Sequence, residues 1–134
     1  MTAAQFNWNV RVYYEDTDTA GVVYYANYLR FFERARTEWL RQLGLNQQVL
    51  AAEEGLRFVV RRATLDFIAA ARLDDFLQIS VRLLKLARAS VELEQEASNE
   101  GRRICAGTVQ LACLRDADFR PVRIPESIRA RMKP

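Results

Sequence analysis

The stretch YYANYLRFFERARTEWLRQL, residues 24 to 43, constrains the fold of this chain more than any other. Tyr28, Phe32, Ala35, Trp39 and Leu43 recur at spacings of three and four, which puts them on one stripe of a helix. Arg30, Glu33, Arg34, Arg41 and Gln42 mostly occupy the other faces. Gly44 follows as a C′ residue that accepts positive φ without steric penalty. Twenty helical residues rise about 30 Å, the width of a small domain. A rod of that length with one apolar stripe needs a broad apolar surface to lie on.

The rest of the sequence supplies strands for that surface. Residues 6 to 14, FNWNVRVYY, combine aromatic and β-branched residues with partial alternation. A second short helix is expected over residues 46 to 54. After Gly55 the texture turns to strands, beginning with Phe58 to Phe67. Residues 75 to 86 alternate, with Leu77, Ile79, Val81 and Leu83 on one face. Residues 89 to 98 set Val91 and Leu93 inward against Glu92, Glu94 and Glu96. The turn SNEG leads into a long strand over residues 102 to 115. The tail IPESIRARMKP reads as a short basic helix with Pro125 near its start. One long helix followed by strands on short turns is an α+β pattern. We expect a single domain over residues 1–134, with a curved antiparallel sheet wrapping the helix. Such a sheet has exposed edges, and pairing them across a dimer is one remedy.

Composition narrows the chemistry. The 134 residues hold no histidine, so a Ser-His-Asp or Cys-His nucleophile system is excluded and common zinc constellations are absent. Acid-base chemistry near neutral pH then falls to Asp or Glu. Cys105 and Cys113 sit in one strand, about 27 Å apart if extended, too far for a bridge; structural thiols are expected. The net charge of +3 is mostly arginine and suits anionic small molecules such as phosphates. No RNA-stacking or zinc-knuckle motif accompanies it, so nucleic acid is not an expected partner. No run reaches the roughly 20 apolar residues of a membrane span. MTAAQFNWNV lacks the basic and apolar regions of a secretory signal, so a cytoplasmic location is expected.

Between the first strand and the helix lie three carboxylates, Glu15, Asp16 and Asp18, in YYEDTDTAGVV. As a calcium loop DTDTAG fails, with Ala20 at position five and Asn27 where a bidentate Glu belongs. As an aspartyl-phosphatase motif it fails again at Ala20, and that fold needs a larger α/β domain. The bland reading is a turn in which Asp16 or Asp18 bonds nearby amides. The setting also suits catalysis. A helix start offers unpaired N–H groups and partial positive charge for an oxyanion, beside a carboxylate able to attack a carbonyl or activate water. Gly21 would allow close backbone approach. A thioester is a fitting target, since its carbonyl is weakly resonance-stabilised.

YYEDTDTAGVVYYANYLRFFERARTEWL resembles the signature of the hotdog-fold 4-hydroxybenzoyl-CoA thioesterase family. It is most similar to the Tol-Pal-associated acyl-CoA thioesterases. Asp16, Asp18, Gly21, Val23 and Tyr28 meet the motif D-x-D-x-x-G-x-V-x-x-x-x-Y, and the likeness continues through FVVRRATLDF, ARLDD and RASVELEQE. The resemblance implies a long helix in a five-stranded antiparallel sheet and hydrolysis of acyl-CoA without metal or cofactor. It implies Asp18 as catalytic carboxylate, either nucleophile or general base. The backbone N–H of Tyr25, in the helix's first turn, is implied as the oxyanion donor, leaving Glu15 and Asp16 to the turn. It further implies a homodimer or homotetramer with active sites between subunits. Arg88 and Ser90 match an element near the CoA path. Arg61 and Arg62, adjacent in a strand and so on opposite faces, are candidates for a CoA phosphate. Glu33 is a reserve catalytic residue. Tyr25 stands where many Tol-Pal relatives carry His, which bears on acyl preference, and Ala70 replaces a common Pro. Dehydration of hydroxyacyl thioesters is a rival that the missing His disfavours. A non-catalytic adaptor that binds acyl carrier protein or lipid-synthesis enzymes is the rival from another class, and the basic tail of Arg123, Arg129, Arg131 and Lys133 would suit an acidic partner.

Overall fold

A computed structural model describes residues 5–133, so Met1–Ala4 and Pro134 lie outside the described residues. In chain order the elements are β1 (Gln5–Arg11), a 3₁₀ turn (Tyr14–Asp16), α1 (Asn27–Gln42) and α2 (Gln47–Val49), which runs on as a π turn over Leu50–Glu54. Then come β2 (Leu56–Phe67), β3 (Phe76–Leu86), β4 (Ser90–Asn99), β5 (Arg102–Arg115) and α3 (Glu126–Met132). The strands form one antiparallel sheet in the order β1-β3-β4-β5-β2, so β1 and β2 are its edges.

The helix stripe meets the sheet as its spacing requires. Phe31, Phe32 and Ala35 of α1 are fully buried in one cluster with Leu77, Ile79 and Val81 of β3 and Val91 and Leu93 of β4. Apart from Ala35, each of these side chains contributes about 1.5–3 kcal/mol by leaving water. The opposite face of β4 carries Glu94 and Glu96, paired with Arg82 and Arg103 at 2.7 and 3.2 Å, as suits a solvated sheet face. Gly44, at φ +79°, donates to the Arg41 carbonyl while Leu45 donates to that of Leu40, and together they stop α1. Cys105 and Cys113 are free and buried; burial pushes their thiols up to about 12 and about 11. At neutral pH neither is a thiolate nucleophile.

Two boundaries differ from the sequence reading by three residues each, for a shared reason. The first strand ends at Arg11 rather than residue 14, and α1 starts at Asn27 rather than residue 24. The intervening chain is held by its own polar bonds: Tyr24 donates to the Asp16 carbonyl at 3.0 Å and accepts from Asn27 N–H at 2.8 Å. Tyr24 to Ala26 are therefore a turn. No helix among the described residues is long and apolar enough to cross a membrane.

Candidate active site

The segment from Asp16 to Tyr25 is stitched to the fold on both sides. Thr17 bridges Val23, and Val22 bridges Arg72, while Val23 N–H donates to the Ala71 carbonyl at 2.8 Å. Asp16 is the anchor. It is only 5% exposed; its Oδ2 accepts from Tyr13 N–H at 2.8 Å and its Oδ1 from the Asn27 side chain at 2.7 Å. One carboxylate thus ties the exit of β1 to the first residue of α1.

Asp18 is placed differently. It is exposed, and among the described residues its one side-chain bond is that of Oδ1, which accepts from Ala20 N–H at 2.9 Å, a local turn that fixes the carboxylate without consuming its second oxygen. The loop closes through Asp18 N–H to Val22 carbonyl at 2.9 Å and Gly21 N–H to Asp18 carbonyl at 3.0 Å. Gly21 is exposed at φ +78°, where a side chain would be strained.

Tyr25 lies in the turn before Ala26, the N-cap residue, not in the first helical turn as the sequence reading had it. Among the described residues its N–H donates no hydrogen bond, so the donor stays available at the entrance of a 16-residue helix. Its ring packs on Tyr24 at 4.8 Å and edge-on to Phe67 at 5.9 Å, and Phe67 in turn meets Tyr28 at 6.0 Å. The end of β2 is thereby fixed beside the helix entrance. Burial pushes the Tyr28 hydroxyl up to about 12, so it stays neutral.

The remaining predicted residues lie elsewhere in the same chain. Arg61 and Arg62 are exposed at the middle of edge strand β2. A β-bulge between Val60 and Arg62 interrupts the alternation there, so adjacency no longer puts these two side chains on opposite faces. Arg88 and Ser90 lie at the β3–β4 hairpin. Ser90 pairs with Ala112, whereas Phe67, beside Tyr25, pairs with Cys105. Seven residues of β5 separate those rows, or about 24 Å. One chain thus brings Asp18, Gly21 and Tyr25 together and leaves Arg88 and Ser90 at the opposite end of the sheet. Glu33 is exposed on α1, two turns beyond Tyr25.

Sequence reasoning passed over Arg36. It is 8% exposed, and its guanidinium donates to Gln95 Oε1 at 3.0 Å while Gln95, fully buried, donates to the Phe32 carbonyl at 3.1 Å. Burial pushes Arg36 down to about 10, against the opposing pull of Glu33, and it remains a cation at neutral pH. The four-residue spacing of Phe32, Arg36 and Leu40 is the signal that would have found it. Among the described residues no group of three or more Cys, Asp or Glu is arranged to hold a metal ion.

Comparison with known proteins agrees with this architecture. The sequence profile of the thioesterase-like superfamily matches residues 12–132. The acyl-CoA thioesterase YbgC of Haemophilus influenzae is 43% identical over 125 residues, covering 93% of this chain and 92% of its own. A probable thioesterase from Bartonella henselae superposes with a TM-score of 0.87 at 38% identity, over 91% of this chain and 100% of that one. A 4-hydroxybenzoyl-CoA thioesterase variant solved with 4-hydroxybenzoyl-CoA shares the hotdog fold at a TM-score of 0.92 and 18% identity, over 98% of this chain and 100% of that one. The chain belongs to the thioesterase-like superfamily, alongside the YbgC acyl-CoA thioesterases.

Proposed function

We propose that this chain hydrolyses acyl-CoA thioesters to free acid and CoA in the cytoplasm, with Asp18 as the catalytic carboxylate and the Tyr25 N–H as oxyanion donor. The observation that carries this reading is the pairing of an exposed carboxylate, steadied by one local bond, with a helix-entrance N–H that has no acceptor in the described chain. The relative's acyl-CoA thioesterase activity supports the choice of substrate. In the reaction an oxygen of water ends on the acyl carbon, the C–S bond breaks, and the sulfur leaves as a thiolate that takes a proton. Asp18 serves either by first forming an acyl anhydride that water opens or by taking a proton from the attacking water. The Tyr25 amide steadies the charge that develops on the carbonyl oxygen, an effect worth about 3 kcal/mol for one donor.

The site is completed between two subunits. Antiparallel pairing of the exposed β2 edges about a two-fold axis sets the start of one β2 against the end of the other. The partner's hairpin then stands at the Asp18 end, which resolves the 24 Å separation found within one chain. In this arrangement the partner's Arg88 and Ser90 flank the CoA nucleotide, with Arg61 and Arg62 near the junction. The basic tail favours this enzyme over an adaptor, because Arg129 and Arg131 donate inward to the carbonyls of Ala87 and Gly44. An acyl carrier protein offers the same thioester, and parallel assays with CoA and carrier-protein thioesters rank the two.

The test is release of free thiol from an acyl-CoA panel by the wild type and Asp18→Asn. Turnover by the wild type that collapses in a folded D18N supports the reading. Equal rates for the two proteins defeat the assignment of Asp18.

A further inference from the structure

The Tyr25 N–H belongs to a peptide group whose other polar atom is held. In a trans peptide the carbonyl of one residue and the N–H of the next lie in one plane and point in opposite directions. The Tyr24 carbonyl and the Tyr25 N–H are such a pair, and no peptide bond among the described residues is cis. Asn27 N–H donates to that carbonyl at 2.8 Å. The bond fixes the plane and turns the Tyr25 N–H away from α1, out of the helix entrance, where it has no acceptor in the described chain.

Asn27 is itself placed from outside its helix. It is the first residue of α1, and helix ends fray. Ala26 before it has no side chain able to cap the turn. The Asn27 side-chain amide instead donates to Asp16 Oδ1 at 2.7 Å, while the Asp16 carbonyl accepts from Tyr24 N–H at 3.0 Å. Three hydrogen bonds thus close a ring through Asp16, Tyr24 and Asn27. Both partners of the side-chain bond are buried, Asp16 at 5% and Asn27 at 7% exposure, so water competes little for it. The Asp16 carboxylate also lies at the positive end of the helix, where a negative charge is favoured. A carbonyl that accepts a hydrogen bond polarises its peptide, which makes the N–H on the other side a stronger donor.

We propose that Asn27 is a positioning residue for the oxyanion site: through its bond to Asp16 it holds the Tyr24–Tyr25 peptide so that the Tyr25 N–H meets the thioester oxygen. The inference rests on the reading of Tyr25 as oxyanion donor. Asn27 acts through the peptide and not on the substrate. Without the Asp16 bond the peptide is free to turn, and a displacement of about 1 Å in a reacting geometry costs about 10²-fold in rate.

The experiment exchanges the two side chains. Asn27→Asp sets two carboxylates against each other and breaks the bond. The double variant D16N/N27D restores it with donor and acceptor reversed. The amide at position 16 then keeps its oxygen for Tyr13 N–H and turns its nitrogen to the carboxylate at position 27. Turnover of acyl-CoA is measured beside the Kd of an S-alkyl-CoA thioether, which has no carbonyl and so does not call on the oxyanion donor. N27D is expected to lower kcat by about 10- to 100-fold. The thioether Kd should stay within about 2-fold of the wild type, and the double variant should recover most of kcat. A kcat of N27D equal to that of the wild type overturns the proposal. So does a thioether Kd that rises in step with the fall in kcat, the mark of a site that has come apart. A folded D16N/N27D as slow as N27D overturns it as well. Should N27D fail to fold, Asn27→Ser replaces it, since a hydroxyl at that position is too short to reach Asp16. The same split between kcat and Kd then supports the proposal, and wild-type kcat overturns it. Tyr25→Pro, which has no N–H and stands in a turn where proline is tolerated, separates this inference from the reading beneath it. A wild-type rate in N27D beside an inactive Y25P overturns the role of Asn27 alone, whereas undiminished turnover by Y25P overturns the oxyanion donor and the positioning with it.

Discussion

Asp16 and Asp18 lie two residues apart, and one pair of variants separates the structural role of the first from the catalytic role proposed for the second. Asp16→Ala removes the acceptor for two donors, Tyr13 N–H at 2.8 Å and the Asn27 amide at 2.7 Å. A hydrogen bond to a charged group contributes about 1.5–3 kcal/mol, so the simple sum is about 3–6 kcal/mol. Tyr13 is exposed and its N–H regains some water, whereas Asn27 is buried and its amide does not. We therefore predict a loss of about 3 kcal/mol, or about 10 °C in Tm for a chain of this size. Asp18→Asn should stay within about 0.5 kcal/mol of the wild type, because the carboxamide oxygen still accepts from Ala20 N–H at an exposed site. Its kcat should nevertheless fall by about 10²–10⁴-fold, the range for removal of a positioned base.

The assay is urea unfolding followed by circular dichroism at one fixed protomer concentration, so that any subunit association weighs equally on every variant. Thiol release is measured on the same preparations. Asn27→Ala and the double variant close a cycle in which residues that share a bond are expected to couple by about 1 kcal/mol. The reasoning fails if D16A unfolds at the wild-type midpoint. It fails equally if D18N loses stability in step with turnover, because Asp18 would then be a second structural carboxylate.

Three further predictions test other parts of the fold. Arg88→Ala should raise KM for acyl-CoA by about 5-fold, the weight of one exposed ion pair of about 1 kcal/mol. It should leave the matching N-acetylcysteamine thioester unaffected, and an unchanged KM for acyl-CoA removes Arg88 from the CoA path. For the cysteines, a thiol that titrates near 9 in the unfolded chain is raised to about 12 (Cys105) and about 11 (Cys113) in the fold. The folded chain therefore holds more protons across that window, and their contribution, complete below pH 9, is lost as pH rises from about 9 to 12. Urea midpoints at pH 8 and pH 10.5 should show the decline, with a shallower slope in Cys105→Ala, and a flat profile contradicts it. Gly107→Ala should cost about 1–3 kcal/mol or more, because its Cβ would collide with the Thr64 backbone across the β2–β5 ladder. Unchanged unfolding of G107A would mean that β2 shifts freely.

The sequence carried the parts of this fold that depend on neighbours along the chain. The stripe from Tyr28 to Trp39, the alternation of Leu77, Ile79 and Val81, and the stop at Gly44 are local patterns, and each has its structural counterpart. The start of α1 was misread because helical periodicity continues into Tyr24 and Tyr25. What ends the helix there is a set of bonds to Asp16, eleven residues before Asn27, which no window of periodicity contains. Strand order was beyond reach for the same reason: β1 pairs with β3, Gln5 to Arg82, and β2 with β5, Leu56 to Arg115.

The candidate site was legible only where it is a contiguous motif. Asp18, Gly21 and Tyr25 fall within eight residues, so their chemistry can be read as a string. Arg36 reads as one more cation on a charged helix. It acquires meaning only when Gln95, 59 positions away, fixes it beneath the surface at the wall of a cleft. Arg88 presents the opposite case, since the family resemblance suggests a place near CoA while one folded chain sets it at the end of the sheet far from Asp18 and Tyr25. The sequence and the single subunit agree only if a second subunit brings the two ends together. The edge strand β2, with Val60 and Phe67 half exposed along it, is the surface on which that meeting is geometrically possible.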